Sequence, residues 1–405
     1  MPIIKQATAR AKGICKSFLD SGFWILLNYS AMDTLGKLQL LSADSQYDLA
    51  CSCGTQDPRE HRRRGAEGQW LYPVPRAAGG YGILFKTLVS NACGSDCRYC
   101  PLRQSGNAPR CTLTPDEIAG AFDEELRRRW MIGLFLSSGI TGRADEAMAR
   151  LVDAAALLRG KYRYRGYIHL KIIPGASTAA IDAALRVASA VSLNIEVPGR
   201  QHFERLSRYK QYDRDIIAPL KYIAAQTARG APFASRRTST QFIVGASDES
   251  DSEIVRYLGG LYTRLGLDRA YFSAYQQGLG GGGLPGDADS AGAAGARLTR
   301  EHRLYQADFL LRRYGFEASE LVFDARGNLD LQEDPKRAWA RRHPEAFPVR
   351  LATADRRQLL RVPGLGPITV GRLLKRRATD RIRSPEDLGL RGKARELVAG
   401  YCDFS

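Results

Sequence analysis

The chain has 405 residues, 44% apolar and 25% charged, an ordinary composition for a globular protein with room for one large domain and a small one. No apolar run reaches the roughly 18–20 residues of a membrane span. The nearest, residues 18–27 (FLDSGFWILL), is shorter, carries Asp20 and is followed by no clear small-residue cleavage pattern, so a cytoplasmic location is expected. Sixty Lys+Arg against 43 Asp+Glu give a formal charge of +17, which points to a polyanionic partner; an arginine-rich coding bias is the competing explanation.

Residues 1–36 fit poorly with the rest of the chain. Met32 reads as an alternative start, with Leu35, Leu38, Leu40 and Leu41 opening a helical pattern, so the segment before it is an over-extended start or an N-terminal appendage. Residues 37–80 form a basic lead-in, irregular over 52–80 where Gly, Pro and Arg dominate. Apolar strand candidates then come at 82–88, 133–137, 167–173, 192–197, 239–244 and 270–274. Helical patterns lie between them, from Asp116 and over 144–158, 177–188, 215–229 and 249–265. The first helix opens with Thr114 as N-cap, Pro115 at the first helical position and Glu117 closing a capping box. Alternating strands and helices build parallel βα units. Six of them predict an α/β fold, a partial (β/α)6 TIM-like barrel over 81–334 with its chemistry at the C-terminal strand ends. Residues 278–295 (GLGGGGLPGDADSAGAAG) lack periodicity and read as a flexible loop. They lack the Lys-Ser/Thr and the strand–turn–helix context of a phosphate cradle. A long helix comes next over 300–316, its apolar side marked by Leu304, Ala307, Phe309, Leu310, Leu311 and Tyr314. Residues 335–351 read as a linker, and 352–402 as a separate basic, all-helical module.

Eight cysteines are too few for a disulfide scaffold in so long a chain. Three of them, Cys93, Cys97 and Cys100, crowd into one loop (NACGSDCRYCP) after the first barrel strand, which reads as metal ligation in a reducing compartment. Three thiolates can hold three corners of a [4Fe–4S] cube and leave the fourth iron open. Structural zinc, the alternative, wants a fourth ligand nearby, and no histidine is local. For Cys51, Cys53 and Cys111 an auxiliary cluster, a thiol radical donor and simple burial all stand open. His169 and Lys171 alternate on the third barrel strand. Lys171 is the candidate catalytic cation, suited to a cofactor carboxylate or a substrate phosphate, with an interior ion pair as the alternative.

Residues 359–377 (LLRVPGLGPITVGRLLKRR) resemble a helix-hairpin-helix: a short helix, a tight turn, and a second helix with Ile368 and Leu373 facing its mate. Gly364 and Gly366 permit the turn and let backbone N–H groups approach a phosphate. Arg372, Lys375, Arg376 and Arg377 flank the same site, within a stretch from Arg350 onward holding 13 basic and 6 acidic residues. Such a hairpin positions nucleic acid without reading bases; a hairpin that only packs, or contacts protein, is the alternative.

The cysteine loop resembles that of the radical S-adenosylmethionine superfamily, whose signature has this spacing and an aromatic residue, here Tyr99, before the third cysteine. The resemblance implies a [4Fe–4S] cluster whose open iron chelates S-adenosylmethionine. It further implies one-electron cleavage to methionine and a 5′-deoxyadenosyl radical, the electron coming from a flavodoxin- or ferredoxin-type donor. It implies cofactor contacts from Ser137, Ser138 and Gly139, where the family has a Gly-Gly-Glu edge; the acid is missing here, so only the backbone role carries over. Asn194 and Glu196 are implied to meet the ribose or amino group, and Val244 and Gly245 the adenine. Over about residues 35–402, the segments LQLLSADSQYD, LFLSSGI, YIHLKIIPGAS, LNIEVPG, REHRLYQADFLLRRYGF and DPKRAWA, with the terminal hairpin, resemble DNA modification or repair proteins of this superfamily. Those proteins are linked to a uracil-DNA-glycosylase-like partner. The implied function is radical modification or repair of DNA. A tRNA-modifying radical enzyme and a non-enzymatic, metal-stabilised nucleic-acid-binding protein are the alternatives.

Overall fold

The apolar runs pair side by side in chain order. β1 (Leu71–Pro75), β2 (Tyr81–Leu88), β3 (Gly133–Ser137), β4 (Tyr167–Lys171), β5 (Ala190–Ser192), β6 (Arg237–Val244) and β7 (Arg269–Ala274) make one sheet in that sequence. β1 runs antiparallel to β2, and β2 through β7 are parallel. The computed structural model describes residues 32–45, 70–75, 80–288 and 293–405. Cys51, Cys53 and residues 18–27 lie outside them. Thr34–Ser405 form one compact unit.

Helices α2 (Pro115–Arg128), α3 (Ala144–Gly160), α4 (Thr178–Val187), α5 (Arg200–Leu206), α6 (Ala218–Thr227), α7 (Asp251–Thr263) and α8 (Ala293–Tyr314) come between or after the parallel strands; α1 (Thr34–Asp44) precedes the sheet. The α/β partial barrel of six parallel strands is therefore present. Its arc stays open among the described residues, because β7 does not pair back to β1. The capping box is as expected: Thr114 Oγ1 accepts from Glu117 N at 3.2 Å, and Glu117 accepts from Thr114 N at 2.7 Å. One face of the strands is mainly apolar, with Phe85, Leu134, Leu136, Ile168, Leu170 and Phe242 fully buried. The alternate positions carry Lys86, His169, Lys171 and Gln241, which gives the arc a polar inner face.

Four expectations need correction. β1 lies where an irregular lead-in was expected; its two prolines disguise it, yet an edge strand tolerates residues that donate no ladder hydrogen bond. The strand expected over 192–197 is the shorter β5, after which the chain leaves the ladder. The helix expected over 215–229 begins as a π-helical turn, Tyr212–Ile217, just ahead of Pro219, which has no N–H to continue a regular ladder. Residues 335–351, expected to be a linker, instead hold α9 (Pro335–Arg342), and β8 (Val349–Arg350) pairs with β9 (Cys402–Asp403). Pro335 starts α9 behind an Asp334 cap rather than breaking structure, and Trp339 packs edge-on against Phe316 at 5.6 Å.

The C-terminal helices α10 (Arg356–Arg361), α11 (Pro367–Arg376) and α12 (Gly392–Tyr401) surround a second apolar cluster that includes Leu359, Val362, Val370, Leu373 and Val398. Here Ile368 is 73% exposed; Val370 and Leu373, one helical turn apart, face the mate instead. Likewise Phe309 on α8 is 45% exposed, while Leu304, Ala307 and Leu310 form the buried stripe. Among the described residues, no helix is long and apolar enough to cross a membrane.

Candidate active site

The loop after β2 carries Cys93, Cys97 and Cys100 into one pocket at the C-terminal ends of the strands. One arginine ties the loop's two ends together. Arg110 donates to the Asn91 carbonyl and to those of Leu102 (3.0 Å), Arg103 (2.9 Å) and Gly106 (3.0 Å). Asn91 is a second anchor: its amide donates to Asp44 and to the Pro109 carbonyl, both at 2.6 Å, and its oxygen accepts from Cys111 N. At Gly139 a Cβ would lie 2.3 Å from the Ala92 carbonyl oxygen and 3.1 Å from Cys93 Cβ, so glycine lets the end of β3 pass against the cysteine loop. The glycine stretch expected to be a flexible loop also packs there. Gly281 N donates to the Arg98 carbonyl at 2.7 Å, and a Cβ on Gly280 would lie 1.9 Å from that oxygen. Backbone-on-backbone packing of this kind leaves no periodic trace in a sequence.

Hydrogen-bond donors reach two of the three sulfurs. Ser95 N (3.4 Å) and Ile140 N (3.5 Å) reach Cys93; Ser95 Oγ (3.3 Å) and Lys210 Nζ (3.0 Å) reach Cys97. Burial pushes the Cys100 thiol up to about 12, and the neighbouring Cys97 adds to the shift. Among the described residues, no group of three His, Cys, Asp or Glu side chains is arranged to hold a single metal ion. The three cysteines share one pocket, and in a polynuclear cluster each thiolate binds its own iron. In donor chemistry and placement the three cysteines fit a [4Fe–4S] cluster.

Ser137, Ser138 and Gly139 at the end of β3, Lys171 on β4, and Asn194 and Glu196 beyond β5 line the same pocket. Glu196 has a φ of +66°, uncommon for a residue with a side chain. Its N–H donates to the Gln241 carbonyl at 3.0 Å and its carbonyl accepts from Ile243 N at 2.7 Å, which fixes that conformation. Its carboxylate accepts from Tyr99 Oη at 2.8 Å and from Asn194 Nδ2 at 3.4 Å. Tyr99 thereby joins the cysteine motif to the strand-end acid, and burial together with Glu196 holds its phenol well above the usual range. Burial lowers Lys171 to about 8, against the opposing pull of Glu196. Burial also works against charge on Lys210, yet Cys97 and Glu196 hold its ammonium above the ordinary lysine range.

Val244 and Gly245 are not part of this pocket. Side chains alternate along β6, so Gln241 and Ile243 line it while Phe242 and Val244 turn away. Gly245 lines a different cleft beside Glu249 and Arg300. There the buried Glu249 carboxylate accepts from Gly245 N (2.6 Å) and Ser247 N (3.2 Å), and burial raises it to about 7 despite Arg300 at 3.7 Å. The folded chain thus retains a proton that the unfolded chain releases near 4.5, so stability falls as pH rises from about 4.5 to 7. The loss attributable to Glu249 is on the order of 3 kcal/mol. A Glu249→Gln chain, melted across that range, is expected to show a flatter slope of melting temperature against pH than the wild type.

Cys111 is buried off the pocket, its sulfur 3.9 Å from the Lys37 carbonyl oxygen. His169 is satisfied by Tyr167 Oη (3.0 Å) and Ser192 Oγ (2.9 Å), and burial keeps it neutral, near 3. On the C-terminal hairpin, Gly364 has a φ of +88° and a Cβ there would meet Val398 and Ala394 at 3.0 and 3.1 Å, so the turn requires glycine. Gly366 is the N-cap of α11 with an ordinary φ. Arg372 and Lys375 are exposed. Arg376 lies beside the Asp387 carboxylate at 3.7 Å, and Arg377 donates to the carbonyls of Leu351 (3.2 Å) and Ala354 (2.6 Å), so both serve the module's own fold. Lys210 carries no sequence signal, because it comes from a loop between α5 and the π turn, with no spacing that links it to the cysteines.

No family model matches the sequence, and no curated protein matches it. Among solved structures the chain is similar to HydG, a maturase of the [FeFe]-hydrogenase, at 16% identity and a TM-score of 0.41, over 56% of this chain and 49% of that one. It is similar to methylornithine synthase (PylB) at 15% identity and a TM-score of 0.43, over 56% of this chain and 63% of that one. It is similar to Streptococcus suis SuiB at 11% identity and a TM-score of 0.41, over 57% of this chain and 48% of that one.

Proposed function

We propose that this chain is a radical S-adenosylmethionine enzyme that modifies or repairs nucleic acid, with Cys93, Cys97 and Cys100 holding a [4Fe–4S] cluster. One observation carries the reading: three cysteines, with hydrogen-bond donors at the Cys93 and Cys97 sulfurs, line the pocket that Gly139, Lys171, Asn194 and Glu196 also line. When bound, the cluster and S-adenosylmethionine supply a reductive carbon–sulfur cleavage. The chain's part is to bind and orient. The Ser138-Gly139 backbone, brought against the cysteine loop, offers carbonyl groups to an ammonium. Glu196 and Asn194 accept and donate hydrogen bonds to ribose hydroxyls, and Lys171 pairs with a carboxylate or a phosphate.

The C-terminal hairpin is read as a helix-hairpin-helix that grips a phosphate backbone. Gly364 makes its turn, and Arg372 and Lys375 are exposed on its second helix. DNA is the target of this proposal, with a flavodoxin- or ferredoxin-type electron donor and a uracil-DNA-glycosylase-like partner. An Arg372→Ala/Lys375→Ala chain is expected to bind duplex DNA more weakly at every sequence. Its log K against log salt slope is expected to be shallower by about 1–2. Unchanged binding would take the hairpin out of the interface, and tighter binding of tRNA than of duplex DNA at equal salt would turn the proposal to RNA. Mass spectrometry of nucleosides from DNA treated with the reduced, reconstituted protein identifies the product; no altered nucleoside would contradict the DNA assignment.

A further inference from the structure

Lys210 belongs to no recognisable motif, yet its Nζ lies 3.0 Å from Cys97 Sγ. The seat of this lysine is built by the cysteine loop itself. Asp96, the residue before Cys97, accepts hydrogen bonds from Ser207 Oγ, from Arg208 N at 2.7 Å and from Tyr209 N at 3.4 Å. Ser207 Oγ in turn accepts from Lys210 N at 3.3 Å, and Asp215 in the π turn accepts from Gln211 N at 2.7 Å. The backbone is thus pinned on both sides of Lys210 and tied to the residue next to Cys97. A half-buried amine held this way is not an incidental surface cation.

Resting on the cluster reading, we infer that Lys210 is a positioning residue for electron transfer: its ammonium, bonded to the Cys97 sulfur, raises the reduction potential of the cluster. Reduction adds one electron, delivered by a flavodoxin- or ferredoxin-class donor, to a centre that its thiolate and sulfide ligands already make anionic. A fixed positive charge bonded to a ligand sulfur stabilises the reduced form more than the oxidised one. The N–H···S bond acts in the same direction by drawing charge off the thiolate. Lys171 and Glu196 line the same pocket with opposite charges, and the Lys210 amine is bonded directly to the Cys97 sulfur.

The test uses the full chain, reconstituted anaerobically with iron and sulfide, without S-adenosylmethionine, its midpoint potential read by a redox titration followed by electron paramagnetic resonance. Lys210→Met is expected to shift the midpoint downward at unchanged iron content. Lys210→Arg restores it toward the wild-type value, and Lys210→Gln, which keeps an N–H donor without the charge, falls between. If Lys210→Met loads poorly, the Gln and Arg variants read the same charge difference. Equal midpoints across loaded variants would overturn the role of Lys210 and leave the cluster reading intact. A wild-type chain that takes up no iron–sulfur cluster would remove the cluster reading and this inference together.

Discussion

On the proposed function, a Cys97→Ala chain is expected to lose the cluster and all reductive cleavage of S-adenosylmethionine while keeping whatever nucleic-acid affinity the wild type has. Cys97 is the buried member of the three, 7% exposed, with Ser95 and Lys210 both bonded to its sulfur. Two thiolates cannot hold three corners of the cube, and the Lys210 ammonium loses the partner that offsets its burial. The proposed nucleic-acid interface is expected to be unaffected, because the hairpin packs around an apolar cluster separate from the one under the cysteine loop. Iron content, the visible absorption of the reconstituted protein and a salt-matched DNA titration check both halves. Full iron in the variant would contradict the assignment of Cys97, and lost DNA binding would mean that the change disturbs more than the cluster.

The second large effect is expected from Arg361→Ala, which attacks the junction between the barrel and the C-terminal module. Arg361 is 5% exposed and donates to both carboxylate oxygens of Glu320, at 2.7 and 2.8 Å. It also donates to the carbonyls of Tyr314 (3.2 Å) and Gly315 (3.1 Å), and its guanidinium lies 3.6 Å over the Phe316 ring. Removing the cation leaves the half-buried Glu320 with Arg357, at 3.9 Å, as its cation and frees the Tyr314 and Gly315 carbonyls, a change that typically costs about 1–3 kcal/mol. Nearby, Lys336 Nζ donates to the Leu365 carbonyl in the hairpin turn at 2.6 Å, a second tie between the same parts. The variant is expected to melt several degrees below the wild type and to be cut by protease between the barrel and the hairpin. Melting within about one degree of wild type would contradict the account, given the roughly 2–4 °C per kcal/mol of a mid-sized domain.

Legibility in the sequence depends on how local each feature is. The six parallel strands and the Thr114 capping box depend on local pattern, apolar runs and a four-residue motif, and the chain displays both. The cysteine trio was legible because ligand spacing is local as well. β1 was hidden by prolines that only an edge position tolerates, a property of the sheet and not of the segment. The short β5 reflects the excursion that turns Glu196 into the left-handed region toward Tyr99, a contact 97 residues away in sequence. Lys210, 113 residues from Cys97, and the Gly281 contact to Arg98 are long-range for the same reason. Val244 turns to the opposite face from Gln241 and Ile243, which line the cysteine pocket, and Gly245 lies past the end of β6 in another cleft.

Anaerobic reconstitution followed by reduction in the presence of S-adenosylmethionine is the most direct test of the central claim. The account predicts a brown protein with about four irons per chain that forms 5′-deoxyadenosine and methionine. Bound zinc, no iron–sulfur absorption and no cleavage of S-adenosylmethionine would contradict it.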